Sequence, residues 1–127
     1  MPGKILVADD DSDNRIIATE TLEAYGYTVF QAVNGLEVLE WVQKETLDLI
    51  LLDLSMPKMD GWEAFRKLKE LDPTRGIRVI AFTAHAMRGD SEKVKLAGFD
   101  DYLTKPCIPK KIEEKVREWL DKKTGEK

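Results

Sequence analysis

A single cysteine, Cys107, means that no disulfide can close within the chain, and it fits a reducing compartment. The N-terminus, Met1-Pro2-Gly3-Lys4, lacks the apolar core of a signal peptide, and no uninterrupted apolar run could span a bilayer. Basic runs and aromatic-basic interleaving are missing, and 20 basic residues against 24 acidic ones leave a formal net charge of -4, which speaks against nucleic acid as a partner. Neither G-x-x-x-x-G-K-[ST] nor G-x-G-x-x-G occurs, so the glycine-rich loops that cradle nucleotide phosphates are absent. Linkers, internal repeats and low-complexity stretches are lacking too. What is there is 127 residues, 43% hydrophobic and 35% charged, the signature of one globular domain with one core. The expected domain is 1–127, with a core of about 4–121, a polar tail over 122–127 that should fray, and a cytoplasmic location.

Short apolar runs alternate with helical patterns five times. Ile5-Leu6-Val7-Ala8 reads as strand 1, ending at Asp9-Asp10-Asp11. Ser12 or Asp13 can cap the helix that follows, with Ile16, Leu22 and Tyr25 as a loose apolar face and Gly26 as its stop. Tyr27 to Ala32 is strand 2. Asn34-Gly35 starts a second helix with Val38, Leu39 and Val42 inward. Asp48 to Asp53 is strand 3, an aliphatic run that suits burial on both faces. Beyond Pro57 and the Asp60-Gly61 turn, a third helix carries Trp62, Phe65 and Leu68 and ends at Asp72-Pro73. Ile77 to Thr83 is strand 4, a fourth helix runs from about Arg88 to Ala97, and Asp101 to Thr104 is a short strand 5. Pro106 and Pro109 lead into a last helix with Ile112, Val116 and Leu120 on one face. This alternation predicts an α/β fold, a doubly wound five-stranded parallel sheet with helices on both faces. The more polar strands 2 and 5 belong at the edges, and right-handed crossovers then favour the order 2-1-3-4-5.

In that order the switch point lies between the carboxyl ends of strands 1 and 3, where ligands of such sheets bind. Asp9 and Asp10 end strand 1, Asp53 ends strand 3, Thr83 ends strand 4 and Lys105 follows strand 5. Taken alone, Asp53 reads as a loop cap. Gathered with the others it reads differently. Two carboxylates about 4 Å apart repel by about 4 kcal/mol at an effective dielectric near 20, so three acids in one crevice call for a cation. The ligands on offer are hard oxygens with no His or Cys cluster beside them, which favours Mg²⁺. A cation, an ammonium and a hydroxyl around one carboxylate make a phosphoryl site with Asp53 as nucleophile.

These residues, with Ala84 after Thr83, Met56-Pro57-x-Met59-Asp60-Gly61 and Asp101-Tyr102-Leu103-x-Lys105-Pro106, resemble the receiver domains of two-component response regulators over nearly the whole chain, from about Lys4 to Leu120. The resemblance implies a flavodoxin-like fold and a non-enzymatic phosphoacceptor that catalyses its own phosphorylation and dephosphorylation. Asp53 would take a phosphoryl group from a sensor histidine kinase or histidine phosphotransfer protein. Asp10, Asp53 and the main-chain carbonyl of Ser55 would bind Mg²⁺, with Asp9 acting through water. Lys105 would contact the phosphoryl group, and its bond to Pro106 would be cis. Thr83 and Tyr102 would switch the surface of helix 4, strand 5 and helix 5, read by a downstream protein. Ser55 and His85 would tune the lifetime of the acyl phosphate.

Other readings carry less. Asp9, Asp11, Asp13 and Glu20 fall at calcium-loop spacing, but Asn14 stands where that loop needs Gly. An aspartyl-phosphate hydrolase usually has a second Asp two residues after its nucleophile, where this chain has Ser55. Cys107 reads as an inert filler, Asp11 as solvated, and Trp41 and Trp119 as helix packing. Trp62 could report Mg²⁺ by fluorescence. Arg15, Ile16 and Thr19 are expected kinase contacts. With no residues after helix 5 for an output domain, a stand-alone regulator is favoured over a receiver cut from a hybrid histidine kinase; direct DNA binding and membrane insertion are not expected.

Overall fold

The computed structural model describes residues 3–71, 76–83, 90–105 and 108–125. Its elements are β1 (Lys4–Ala8), α1 (Ser12–Ala24), β2 (Thr28–Ala32), α2 (Gly35–Lys44), β3 (Leu49–Asp53), α3 (Gly61–Leu71), β4 (Arg78–Thr83), α4 (Asp90–Ala97), β5 (Asp101–Thr104) and α5 (Pro109–Gly125). The strands form one parallel sheet in the order β2-β1-β3-β4-β5.

The central strand explains the order. Leu49, Ile50, Leu51 and Leu52 are all fully buried. Because side chains alternate across a strand, Ile50 and Leu52 join one core with Val38, Val42, Phe65, Val94 and Phe99, beneath α2, α3 and α4. Leu49 and Leu51 join a second core with Ala18, Leu22, Ile112 and Val116, beneath α1 and α5. Each such side chain contributes about 1.5–3 kcal/mol by leaving water, and only a strand covered on both faces gains this from every residue. The edge strand β2 is exposed or half-buried up to its last residue, Ala32.

Two expectations are corrected. Asp11 caps α1: its carboxylate accepts from the N–H groups of Asp13 (2.9 Å) and Asn14 (3.2 Å), while Ser12 is the first helical residue. The inward face of α1 is Ala18, Thr19 and Leu22, whereas Ile16 and Tyr25 are 45% and 57% exposed. The last helix, α5, extends to Gly125.

Candidate functional site

Parallel pairing aligns the strand ends into a rim. Ala8 lies opposite Leu52, which sets Asp9 beside Asp53, and Asp53 lies opposite Phe82, next to Thr83. The backbone N–H of Lys105 donates to the carbonyl of Thr83 at 2.8 Å, anchoring the chain after β5 to the same rim. Asp9, Asp53 and Thr83 are buried and Asp10 is exposed. One carboxylate oxygen from each of Asp9, Asp10 and Asp53 lies within 4.8 Å of the others.

Lys105 Nζ sits between two of these acids, 2.6 Å from Asp9 Oδ2 and 3.3 Å from Asp53 Oδ2. The contact with Asp9 is a close, buried ion pair. Asp9 Oδ1 accepts from the N–H of Asp11 at 2.9 Å, and Asp53 Oδ1 accepts from the N–H of Ser55 at 3.1 Å. Burial is the main influence on Asp53, pushing its carboxyl up to about 7; the Ser55 N–H and the Lys105 charge hold it down in part, and Asp9 pushes it further up. Proton affinity of this kind marks a buried carboxylate whose donors and neighbouring cation do not offset its desolvation. Three hard carboxylate oxygens converging within 4.8 Å suit a hard divalent cation.

The loop after β3 is held against this site by a glycine. Gly61 donates its N–H to the Leu54 carbonyl at 3.2 Å, and a Cβ at Gly61 would overlap the Asp53 carbonyl oxygen. Asp60 then caps α3, its carboxylate accepting from the Glu63 N–H at 2.9 Å. Thus α3 begins directly against the end of β3, and its N-terminus lends partial positive charge to that end.

The structure gathers Asp9, Asp10, Asp53, Thr83 and Lys105 at one rim, with Ser55 exposed two residues beyond Asp53. Tyr102 lies a step back along β5, opposite Ala81, half-buried against the core under α2, α3 and α4. His85, Pro106 and Cys107, the start of the fourth helix at Arg88 and its supposed predecessor's end at Asp72-Pro73 lie outside the described residues. Trp41 and Trp119 pack against the two cores, while Trp62 is 38% exposed with an edge contact to Phe99. Of the helix-1 residues expected to meet a kinase, Ile16 is exposed, but Thr19 is buried beneath the helix. Arg15 turns inward, donating from Nη1 to the Asp9 carbonyl at 2.8 Å and from Nε to Gln31 Oε1 at 3.0 Å. A basic residue one turn beyond the Asp11 cap was the available sequence signal for that contact.

Comparison with known proteins places this rim in a family. A family model described as the response regulator receiver domain matches residues 5–117. The polar-differentiation response regulator DivK of Brucella anthropi is 35% identical over 120 residues, spanning 94% of this chain and 98% of that protein. A CheY-like response regulator receiver domain protein from Methanospirillum hungatei is 33% identical, with a TM-score of 0.89 over 100% of both chains. The receiver domain of sensor histidine kinase PA1611 from Pseudomonas aeruginosa, solved with a magnesium ion coordinated in its active site cleft, is 29% identical, with a TM-score of 0.85 over 95% of this chain and 99% of that one. The match of the family across the sheet, its helices and the acidic rim leads to one conclusion: the chain belongs to the response regulator receiver domain family.

Proposed function

We propose that this receiver accepts a phosphoryl group on Asp53 from a phosphohistidine of a sensor histidine kinase or phosphotransfer protein, in a cytoplasmic phosphorelay. The observation that carries this reading is the position of Lys105 Nζ, 3.3 Å from Asp53 Oδ2 and 2.6 Å from Asp9 Oδ2, inside a cluster of three acids. A carboxylate oxygen of Asp53 attacks the phosphorus, the P–N bond breaks with its electron pair returning to the imidazole, and an acyl phosphate forms. Asp10, Asp53 and the Ser55 main-chain carbonyl would hold Mg²⁺, with Asp9 through water; the bound ion would neutralise charge on the phosphoryl oxygens. Lys105 pairs with a phosphoryl oxygen, and the Thr83 hydroxyl donates to another. Water attack at phosphorus later releases inorganic phosphate, at a rate set in part by Ser55 and His85. The chain thereby promotes its own phosphorylation and dephosphorylation.

The readout is a change of protein surface. Thr83 drawn toward the phosphoryl group leaves room for Tyr102 to turn inward, which biases the face formed by α4, β5 and α5 between two states. A downstream protein docks there. Residues 1–127 act as one receiver unit, a stand-alone regulator in this reading, as DivK is a response regulator that the chain matches along 98% of its length. The likeness to the PA1611 receiver keeps a hybrid-kinase origin as the second reading.

Incubation with a small phosphodonor, with and without Mg²⁺, followed by intact mass measurement, tests the proposal. A Mg²⁺-dependent phosphoryl adduct that is lost in Asp53→Asn supports it. No adduct, or one that persists in Asp53→Asn, overturns it.

A further inference from the structure

We infer that Arg15 is a positioning residue for the divalent-cation site, working as a clip together with Gln31. The inference rests on reading Asp9, Asp10 and Asp53 as that site. Asp9 has its N–H donated to the Ala32 carbonyl at 3.0 Å and its Oδ1 held by the Asp11 N–H at 2.9 Å. Its carbonyl accepts from Arg15 Nη1 at 2.8 Å. That carbonyl belongs to the peptide group joining Asp9 to Asp10, and a peptide group is planar. Fixing the carbonyl therefore fixes the plane from which the Asp10 backbone, and with it the exposed Asp10 carboxylate, departs.

The guanidinium is itself aimed. Its Nε donates to Gln31 Oε1 at 3.0 Å, on the edge strand β2, where Gln31 pairs with Val7. Arg15 thus spans α1, the end of β1 and the neighbouring edge strand. Two donors of a rigid planar fork are used at once, which a flexible ammonium cannot reproduce. Groups that orient the ligands of a metal site in this way typically change its affinity by about 10–100-fold when removed.

Charge and geometry predict opposite signs. A cation beside an acidic rim repels a second cation, so electrostatics alone would make loss of Arg15 tighten metal binding. Positioning makes the same loss weaken it. The measurement is a Mg²⁺ titration of the full chain followed by backbone amide NMR, beside thermal denaturation of each metal-free variant. Arg15→Met is expected to weaken Mg²⁺ binding by about tenfold and to shift the Asp10 amide resonance before any metal is added. Arg15→Lys keeps the charge but not the fork, and Gln31→Leu keeps the charge but frees Nε. Both are expected to weaken binding, by less than Arg15→Met and regardless of their order in thermal stability. Equal or tighter binding by Arg15→Met overturns the inference while leaving the site intact. Should Arg15→Met fail to fold, unchanged binding by Gln31→Leu overturns it instead. A wild-type chain that binds no Mg²⁺ overturns the reading of the site, and the inference with it.

Discussion

Two charge clusters sit along the same sheet and are built on different terms. At the carboxyl rim, Lys105 pairs with Asp9 and Asp53, and the Asp10 carboxylate lies beside them. Toward the amino ends of β4 and β5, Asp100 and Asp101 meet two cations. Arg78 lies 3.8 Å from Asp100, and Lys115 lies 2.9 Å from Asp101, which also accepts from the Trp119 indole N–H at 2.8 Å. Burial acts to raise the Asp101 carboxyl, yet the donors Trp119, Lys115 and the Tyr102 N–H, with the Lys115 charge, bring it below its ordinary value. The same desolvation at the rim prevails, and Asp53 rises to about 7. The balanced cluster ties α5 to β5 and is a structural joint. The other leaves burial uncompensated, which accords with the cation and phosphoryl group it would take in the proposed function.

The largest expected effect comes from deepening the imbalance. Lys105→Ala leaves Asp9 buried without its ammonium, and removing one partner of a buried pair costs about 3–5 kcal/mol. Urea unfolding in the absence of metal should show a loss of that order, partly recovered by Mg²⁺. Breaking the balanced cluster comes next. Asp101→Ala removes the acceptor of Trp119 and Lys115, and a hydrogen bond to a charged group contributes about 1.5–3 kcal/mol. With both partners able to reach water, the lower end of that range is expected, unaffected by Mg²⁺.

A subtler effect is pH dependence at the rim. An unfolded Asp ionises near 3.8 and Asp53 in the folded chain near 7, so between these values the folded state holds the extra proton. The stability contributed by Asp53 is fully present below about 4 and is lost as pH rises through about 7. The stability of metal-free wild type relative to Asp53→Asn should therefore fall across that window, as measured by chemical unfolding at several pH values. Asp101 has the opposite sign: its depressed carboxyl contributes stability at neutral pH that is lost on acidification.

The fold was legible wherever burial was uniform. Leu49 to Leu52 suited a strand covered on both faces, and the polar content of β2 and β5 marked the edges. With that order known, topology alone brought Asp9, Asp10, Asp53, Thr83 and Lys105 to one rim. The face of α1 was not legible, because Ala18 and Thr19 pack inward and carry little hydrophobic signal, while Ile16 and Tyr25 remain exposed. The α1 cap was missed because Ser12 and Asp13 are capping residue types as well, and only the backbone shows that Asp11, one residue earlier, takes that place. The direction of Arg15 depends on where Gln31 lies across the sheet. Likewise the joint between Asp101 and Trp119 depends on α5 folding back over β5. The position of Arg15 one turn beyond the cap hinted at the first contact, but no local pattern named either partner.

The claim that one cluster is unbalanced and the other balanced is tested most directly by thermal denaturation at pH 8 with all divalent metal removed. Asp53→Asn should melt above wild type, because it removes a buried carboxylate that is ionised at that pH against its preference. Asp101→Ala should melt below wild type. If Asp53→Asn also melts below wild type, the rim is held together by its charges rather than strained by them, and the account is contradicted.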